Sequence, residues 1–229
     1  MSNHLFFDLD HTLWDFEANA EETLKELYEL YQVQFLAPVS SLEFIRIYSK
    51  INHDLWKLYR NHQITKAKLR VKRFEDTFKT MGVESKYIPK DIGEKYVEIC
   101  PTKTKLISGA REVLEYLQED YQLHIITNGF EESQNKKLKH ADLSRYFKTV
   151  TISEHVGKQK PHPLVFEIAL KNAKSNLNHG TYIGDNLEAD VKGAINAGWK
   201  AFWLTKDTNG YTNPDCEAIK DLRDLKKFF

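Results

Sequence analysis

Leu5-Phe6-Phe7-Asp8-Leu9-Asp10-His11-Thr12 is the stretch that decides the fold. Three apolar residues run straight into two aspartates set two positions apart, and a threonine comes next. The run is too short and too soon broken for a helix, so it reads as a buried strand. Strands buried on both faces belong to parallel sheets covered by helices. In such sheets the chemistry gathers just beyond the carboxyl ends of the strands, which is where Asp8 and Asp10 would stand. Two carboxylates at one edge repel each other unless a cation holds them. A hard ion such as Mg2+, which prefers oxygen ligands, answers that need. Taken alone, the same residues are better explained as turn formers ending a strand, with Asp10 or Thr12 capping the next element. The rest of the chain changes that balance.

The chain has 229 residues, enough for one large domain or a core with a smaller insert. Hydrophobic residues make up 41% and charged residues 29%, which suits a globular protein with a sizeable core. Lys+Arg 33 balances Asp+Glu 33, so no global basic field points to nucleic acid. Cys100 and Cys216 lack metal-ligand spacing and read as two free thiols of a cytoplasmic chain. No signal peptide is expected, because no basic region leads into a long apolar stretch. No apolar run approaches the length that spans a membrane.

From about Ala18 the pattern is helical, with Leu24, Leu27, Tyr28 and Tyr31 on one face. Pro38 breaks it. Ser40 and Glu43 form a capping-box signature for a second helix, which carries Phe44, Tyr48, Ile51, Leu55 and Leu58. Thr65 can start a third, ending at Gly82, and a fourth runs from Pro89 toward Ile99. Residues 16–97 therefore read as a helical insert. After Pro101, helices alternate with apolar runs at Leu123–Ile126, Thr149–Ile152, Gly180–Gly184 and Ala201–Leu204. That alternation predicts an α/β core of residues 1–15 and 98–229, with a Rossmann-like parallel sheet and right-handed crossovers.

Three more strand or loop ends carry suitable polar groups. Thr127-Asn128-Gly129 offers a hydroxyl, an amide and a backbone N–H that could grip phosphate oxygens, though Asn-Gly is also an ordinary turn pair. Lys160 stands before Pro161, where the backbone is stiffened, and would neutralise aspartates and an incoming phosphate. Most lysines are simply solvated. Gly184-Asp185-Asn186 ends the next strand, so Asp185 is a third carboxylate for the metal and Asp190 could orient that shell or the lysine. Asp185 or Asn186 could instead cap the following helix, and Asp190 could be an early-helix acid favoured by the dipole.

Singly these are weak signals; together, in this order, they are strong. Asp8-Leu9-Asp10-His11-Thr12, Thr127-Asn128-Gly129, Lys160-Pro161 and Gly184-Asp185 with Asp190 resemble the four motifs of the haloacid dehalogenase superfamily. The resemblance covers essentially the whole chain, and the insert is similar to that superfamily's helical cap of the first type. Asp10, absent from true dehalogenases, points to the phosphatase branch. Leu55-Trp56 through Tyr59, Asn61, Ile64-Thr65, Arg73-Phe74-Glu75, Ile125 to Phe130 and Ile152-Ser153-Glu154 with Val156-Gly157 are similar to the pyrimidine 5′-nucleotidase subgroup.

The resemblance and the residue chemistry together imply phosphoryl transfer in two steps. Asp8 is the expected nucleophile, forming an aspartyl-phosphate, and Asp10 the expected acid and then base. Mg2+ is expected between Asp8, the backbone carbonyl of Asp10 and Asp185. Thr127, Asn128, Gly129 and Lys160 are expected to hold the transferring oxygens. The implied substrate is a small phosphate monoester, a pyrimidine nucleoside monophosphate such as dUMP, UMP or dTMP. A sugar-phosphate or phosphoglycolate phosphatase, a phosphomutase or a non-enzymatic binding module are the alternatives. The cap is expected to close over the leaving group. Trp14, Phe16, Trp56 and Tyr59 could stack on a base, although aromatics at helical spacing more often pack a core. Neither nucleic acid nor membrane is an expected partner, and the sequence leaves the oligomeric state open.

Overall fold

The computed structural model describes residues 4–175 and 179–229. The N-terminal reading, where it rests on residues 1–3, lies outside them. The chain forms two compact units, one of Met1–Phe16 with Lys103–Phe229 and one of Glu17–Thr102.

The first unit is built on a six-stranded sheet. Its strands are β1 (His4–Phe7), β2 (Gln122–Thr127), β3 (Phe147–Ile152), β4 (Thr181–Gly184), β5 (Lys200–Leu204) and β6 (Cys216–Ile219). Their order is β3-β2-β1-β4-β5-β6, and every neighbouring pair is parallel. The parallel α/β reading therefore holds. The strand order reverses at β1, which opens a crevice beyond its carboxyl end. Leu5, Phe6 and Phe7 are fully buried, as a strand covered on both faces requires. Phe6 packs on Trp199 with ring centroids 4.8 Å apart, and Phe166 lies edge-on to Trp199 and Tyr182 at 5.3 and 5.5 Å.

β6 was not expected from the sequence. Cys216-Glu217-Ala218-Ile219 has no apolar run, and only Ile219 is buried. It is an edge strand, held by pairing with β5 rather than by its own hydrophobicity.

The second unit is helical. It contains α1 (Phe16–Leu30, its first residue belonging to the other unit), the single turn α2 (Val33–Leu36), α3 (Ser41–Arg60), α4 (Lys66–Thr80) and α5 (Ile92–Ile99). Ser40 caps α3 by accepting from the Glu43 N–H at 3.2 Å, and Thr65 caps α4 by accepting from the Lys68 N–H at 3.2 Å. The Glu43 carboxylate turns to the Arg46 guanidinium, at 2.6 and 2.9 Å. The return to the α/β unit falls after Thr102, not after residue 97 as expected. The reason is packing: α5 continues into a turn over Cys100–Thr102, and Tyr96 stacks into the helical core beside Tyr48 and Phe74, at 5.4 and 5.7 Å.

The α/β unit adds α6 (Ala110–Leu117), α7 (Glu131–His140), the single turn α8 (Ser153–Val156), α9 (Pro163–Asn172) and α10 (Lys192–Asn196). The helix expected over residues 188–196 divides in two. A π-type turn over Leu187–Val191 runs into α10. Cys100 and Cys216 are free thiols. No described helix is long and apolar enough to cross a membrane.

Candidate active site

The expected residues fall at strand ends or in the segments that follow them. Asp8 follows β1, Thr127 ends β2, Lys160 lies in the loop between α8 and α9, and Asp185 follows β4. Because β2, β1 and β4 are adjacent, three strand ends meet in one place.

Lys160 is the hub. Its ammonium donates to Asp8 Oδ1 at 2.7 Å, to the Ile126 carbonyl at 2.9 Å and to the Tyr182 hydroxyl at 2.6 Å. It also pairs with Asp190 Oδ1 at 2.7 Å. The residue is only 3% exposed. Burial works against its charge, but Asp190 and Asp8 outweigh it and hold the ammonium above its usual pKa.

Asp8, Asp185 and Asp190 each place a carboxylate oxygen within 4.8 Å of the others. Burial is the main influence on Asp8, and repulsion from Asp190 and Asp185 adds to it. Together they raise its pKa well above the usual range despite Lys160. Burial, then Asp190, pushes Asp185 up to about 6, against the help of His11, the Thr12 hydroxyl and Lys160. Thr12 donates to Asp185 Oδ1 at 3.1 Å. Asp190 is already engaged, since Lys160 holds one oxygen and the Asn186 N–H donates to the other at 3.0 Å. That leaves Asp8 and Asp185 as the carboxylates suited to a cation. Their all-oxygen donor set and crowded charge fit a hard divalent ion.

Asp10 is turned to different partners. Lys137 Nζ donates to Oδ1 at 2.5 Å, and Gln134 Nε2 donates to Oδ2 at 2.9 Å. Burial would raise this carboxyl, but the Lys137 charge and both hydrogen bonds overcome it and hold its pKa below the usual value.

The Thr127-Asn128-Gly129 turn is more internally bonded than its composition suggests. The Asn128 amide pairs with the backbone of Lys160 on both sides, accepting from its N–H at 2.9 Å and donating to its carbonyl at 3.0 Å. The Gly129 N–H donates to Thr127 Oγ1 at 3.0 Å. Gln134 Nε2 also donates to that oxygen, at 2.6 Å. Thr127 Oγ1 thus accepts twice, which leaves its own proton to donate.

Trp14 is fully buried, and its indole N–H donates to the Lys103 carbonyl at 3.0 Å, so it is a packing residue. Phe16 lies 4.9 Å from the His11 ring. Trp56 and Tyr59 pack edge to face within the helical unit, at 5.6 Å.

The model of the haloacid dehalogenase-like hydrolase family matches residues 5–204. The chain belongs to this family. Among haloacid dehalogenase-like relatives it is 35% identical over 230 residues to the pyrimidine 5′-nucleotidase PynA of Streptococcus pneumoniae, covering 96% of this chain and 93% of that protein. It is 33% identical over 201 residues to the pyrimidine 5′-nucleotidase YjjG of Escherichia coli, covering 87% and 84%. A crystal structure of YfnB from Bacillus subtilis bound to magnesium superposes with a TM-score of 0.85 at 29% identity, covering 98% of this chain and 97% of that one. The chain is therefore a haloacid dehalogenase-like hydrolase with pyrimidine 5′-nucleotidase relatives.

Sequence reading missed Tyr182, Gln134 and Lys137. Tyr182 sits in the middle of β4 and looks like core; its hydroxyl, buried beneath Lys160, donates to the Ile126 carbonyl at 2.9 Å. Gln134 and Lys137 are ordinary polar residues of a helix. Their one signal is the i, i+3 spacing, which sets them on a single face of α7.

Proposed function

We propose that the chain is a Mg2+-dependent 5′-nucleotidase, cleaving pyrimidine nucleoside monophosphates such as dUMP, UMP and dTMP through an aspartyl-phosphate on Asp8. The reading is carried by the ion pair of Asp8 with Lys160 at 2.7 Å, with Asp185 at the end of the neighbouring strand β4 and Asp10 two residues along the chain. The two nucleotidase relatives support the substrate class, and the magnesium-bound YfnB structure supports the ion.

Asp8 attacks phosphorus with a carboxylate oxygen. The bond from phosphorus to the ester oxygen breaks, and Asp10, which takes up a proton as the monoester binds, passes it to that oxygen as it leaves. This converts Asp10 to the carboxylate that Lys137 and Gln134 stabilise. Water then attacks the aspartyl-phosphate, Asp10 takes a proton from it, and the bond to Asp8 breaks to release inorganic phosphate. Lys160 and the Thr127 hydroxyl offset charge on the transferring oxygens. The Asn128 side chain contributes by fixing the Lys160 peptide. Asp190 and Tyr182 hold the Lys160 ammonium against Asp8. Asp8, Asp185 and the Asp10 carbonyl would hold Mg2+, which supplies positive charge to the phosphate oxygens.

Phosphate release from a panel of nucleoside monophosphates and sugar phosphates tests this, run with Mg2+, with chelator and with Asp8→Asn. Release is expected to concentrate on pyrimidine monophosphates, to need the metal and to vanish in the variant. Preferential release from sugar phosphates would keep the chemistry and remove the substrate assignment.

A further inference from the structure

The two oxygens of Asp10 are held from one helix. Lys137 takes Oδ1 and Gln134 takes Oδ2, at 2.5 and 2.9 Å, and both residues come from successive turns of α7. We propose that Gln134 and Lys137 are positioning residues that clamp the Asp10 carboxylate for proton transfer, and that Gln134 ties this clamp to the phosphate-facing Thr127. The proposal rests on the aspartyl-phosphate reading but not on the nucleotide assignment.

Four observations carry it. Gln134 is completely buried, and its single Nε2 bridges Asp10 Oδ2 and Thr127 Oγ1, so the acid/base group and the threonine hydroxyl share one anchor. The Lys137 side chain is 7% exposed, so its ammonium is not a surface charge in chance contact with an acid. Its position is fixed by aromatic walls, with Nζ 4.4 Å from the Trp14 ring centroid and 5.6 Å from that of Phe16. The Trp14 wall is itself tied down through the Lys103 carbonyl. Finally, a buried ion pair adds little stability over apolar packing of the same shape. What this pair does provide is orientation: with both oxygens engaged, the carboxylate cannot rotate about its terminal torsion, which is otherwise broad. Proton transfer needs that group within hydrogen-bond reach of the ester oxygen and then of the water.

The test uses the Mg2+-loaded protein and p-nitrophenyl phosphate, whose leaving group departs without protonation. Such an ester spares the first step and isolates the second, in which Asp10 must take a proton from water. Lys137→Met and Gln134→Glu are expected to lower kcat by roughly 100-fold with KM falling alongside it, because slowing only the hydrolysis of the aspartyl-phosphate leaves kcat/KM unchanged. The acid-quenched protein should carry a larger phosphorylated fraction by intact mass than the wild type does. Lys137→Arg, which keeps a cationic donor, should recover to within about tenfold of wild type. A purely structural role would lower thermal stability without raising the phosphorylated fraction and would overturn the proposal. So would an unchanged kcat in Lys137→Met, or a loss confined to KM, which would make Lys137 a substrate contact. Because the ester carries no base, a wild type that ignores nucleotides loses the substrate assignment and leaves this test readable. A wild type whose Asp8→Asn variant cleaves the ester equally well loses the aspartyl-phosphate reading itself.

Discussion

A side chain at Gly129 would collide with the Gln134 amide. The glycine is therefore needed for close approach: the amide that reaches Asp10 and Thr127 passes directly over its Cα. Gly129→Ala is expected to push Gln134 off both partners and lower kcat on the order of 10- to 100-fold, since one donor to the acid/base group is lost. Gln134→Ala in the same chain removes the obstruction. The double variant should be no slower than Gln134→Ala alone, which is a clear departure from additivity. Turnover of the four proteins in parallel decides it, and simple multiplication of the two losses would refute the account.

At the scale of elements, α10 presses against the loop that carries Lys160. A Cβ at Gly193 would lie 2.9 Å from Pro161 Cα and 3.1 Å from the Phe166 ring. Helix propensity alone would favour alanine there by roughly 1 kcal/mol. The collision acts the other way, and because it meets backbone it cannot be relieved by turning a side chain. Gly193→Ala is expected to melt at a lower temperature than wild type and to lose turnover, although no chemical group has been removed. A more stable and fully active variant would show that the loop yields freely. The π-type turn before α10 has its own part in the site. Asn186 caps it by accepting from the Glu188 and Ala189 N–H groups at 3.1 and 2.9 Å. The turn brings Asp190 back so that its Oδ2 accepts from the Asn186 N–H and its Oδ1 pairs with Lys160.

For the whole molecule, a second buried network bears on stability far from the chemistry along β2. His124 Nε2 lies 3.0 Å from His4 Nδ1, and His124 Nδ1 lies 2.8 Å from the Thr149 hydroxyl. Burial, with a smaller push from His4, lowers the His124 pKa to about 4. An unfolded chain binds that proton near pH 6.5, while the folded chain resists it until about 4. Stability from this group is thus complete above 6.5 and is lost as the pH falls toward 4. Melting temperature measured across that window should fall in wild type and fall less in His124→Asn; parallel curves would exclude the histidine. The sequence by itself determined the parallel α/β core and which residues end its strands. Apolar runs of three to five residues are local signals, and Asp8, Thr127 and Asp185 are read directly from where those runs stop. It also marked Lys160, through its place before Pro161. It did not reveal β6, which is held by pairing with β5. Nor did it reveal Tyr182, Gln134 and Lys137, or that the Asn128 amide is spent on the Lys160 backbone. Those assignments depend on contacts across long separations, 127 residues for Lys137 with Asp10. Only the docking of α7 beside β1 and β2 decides which face of that helix meets the aspartate, and no local periodicity records where a helix comes to rest.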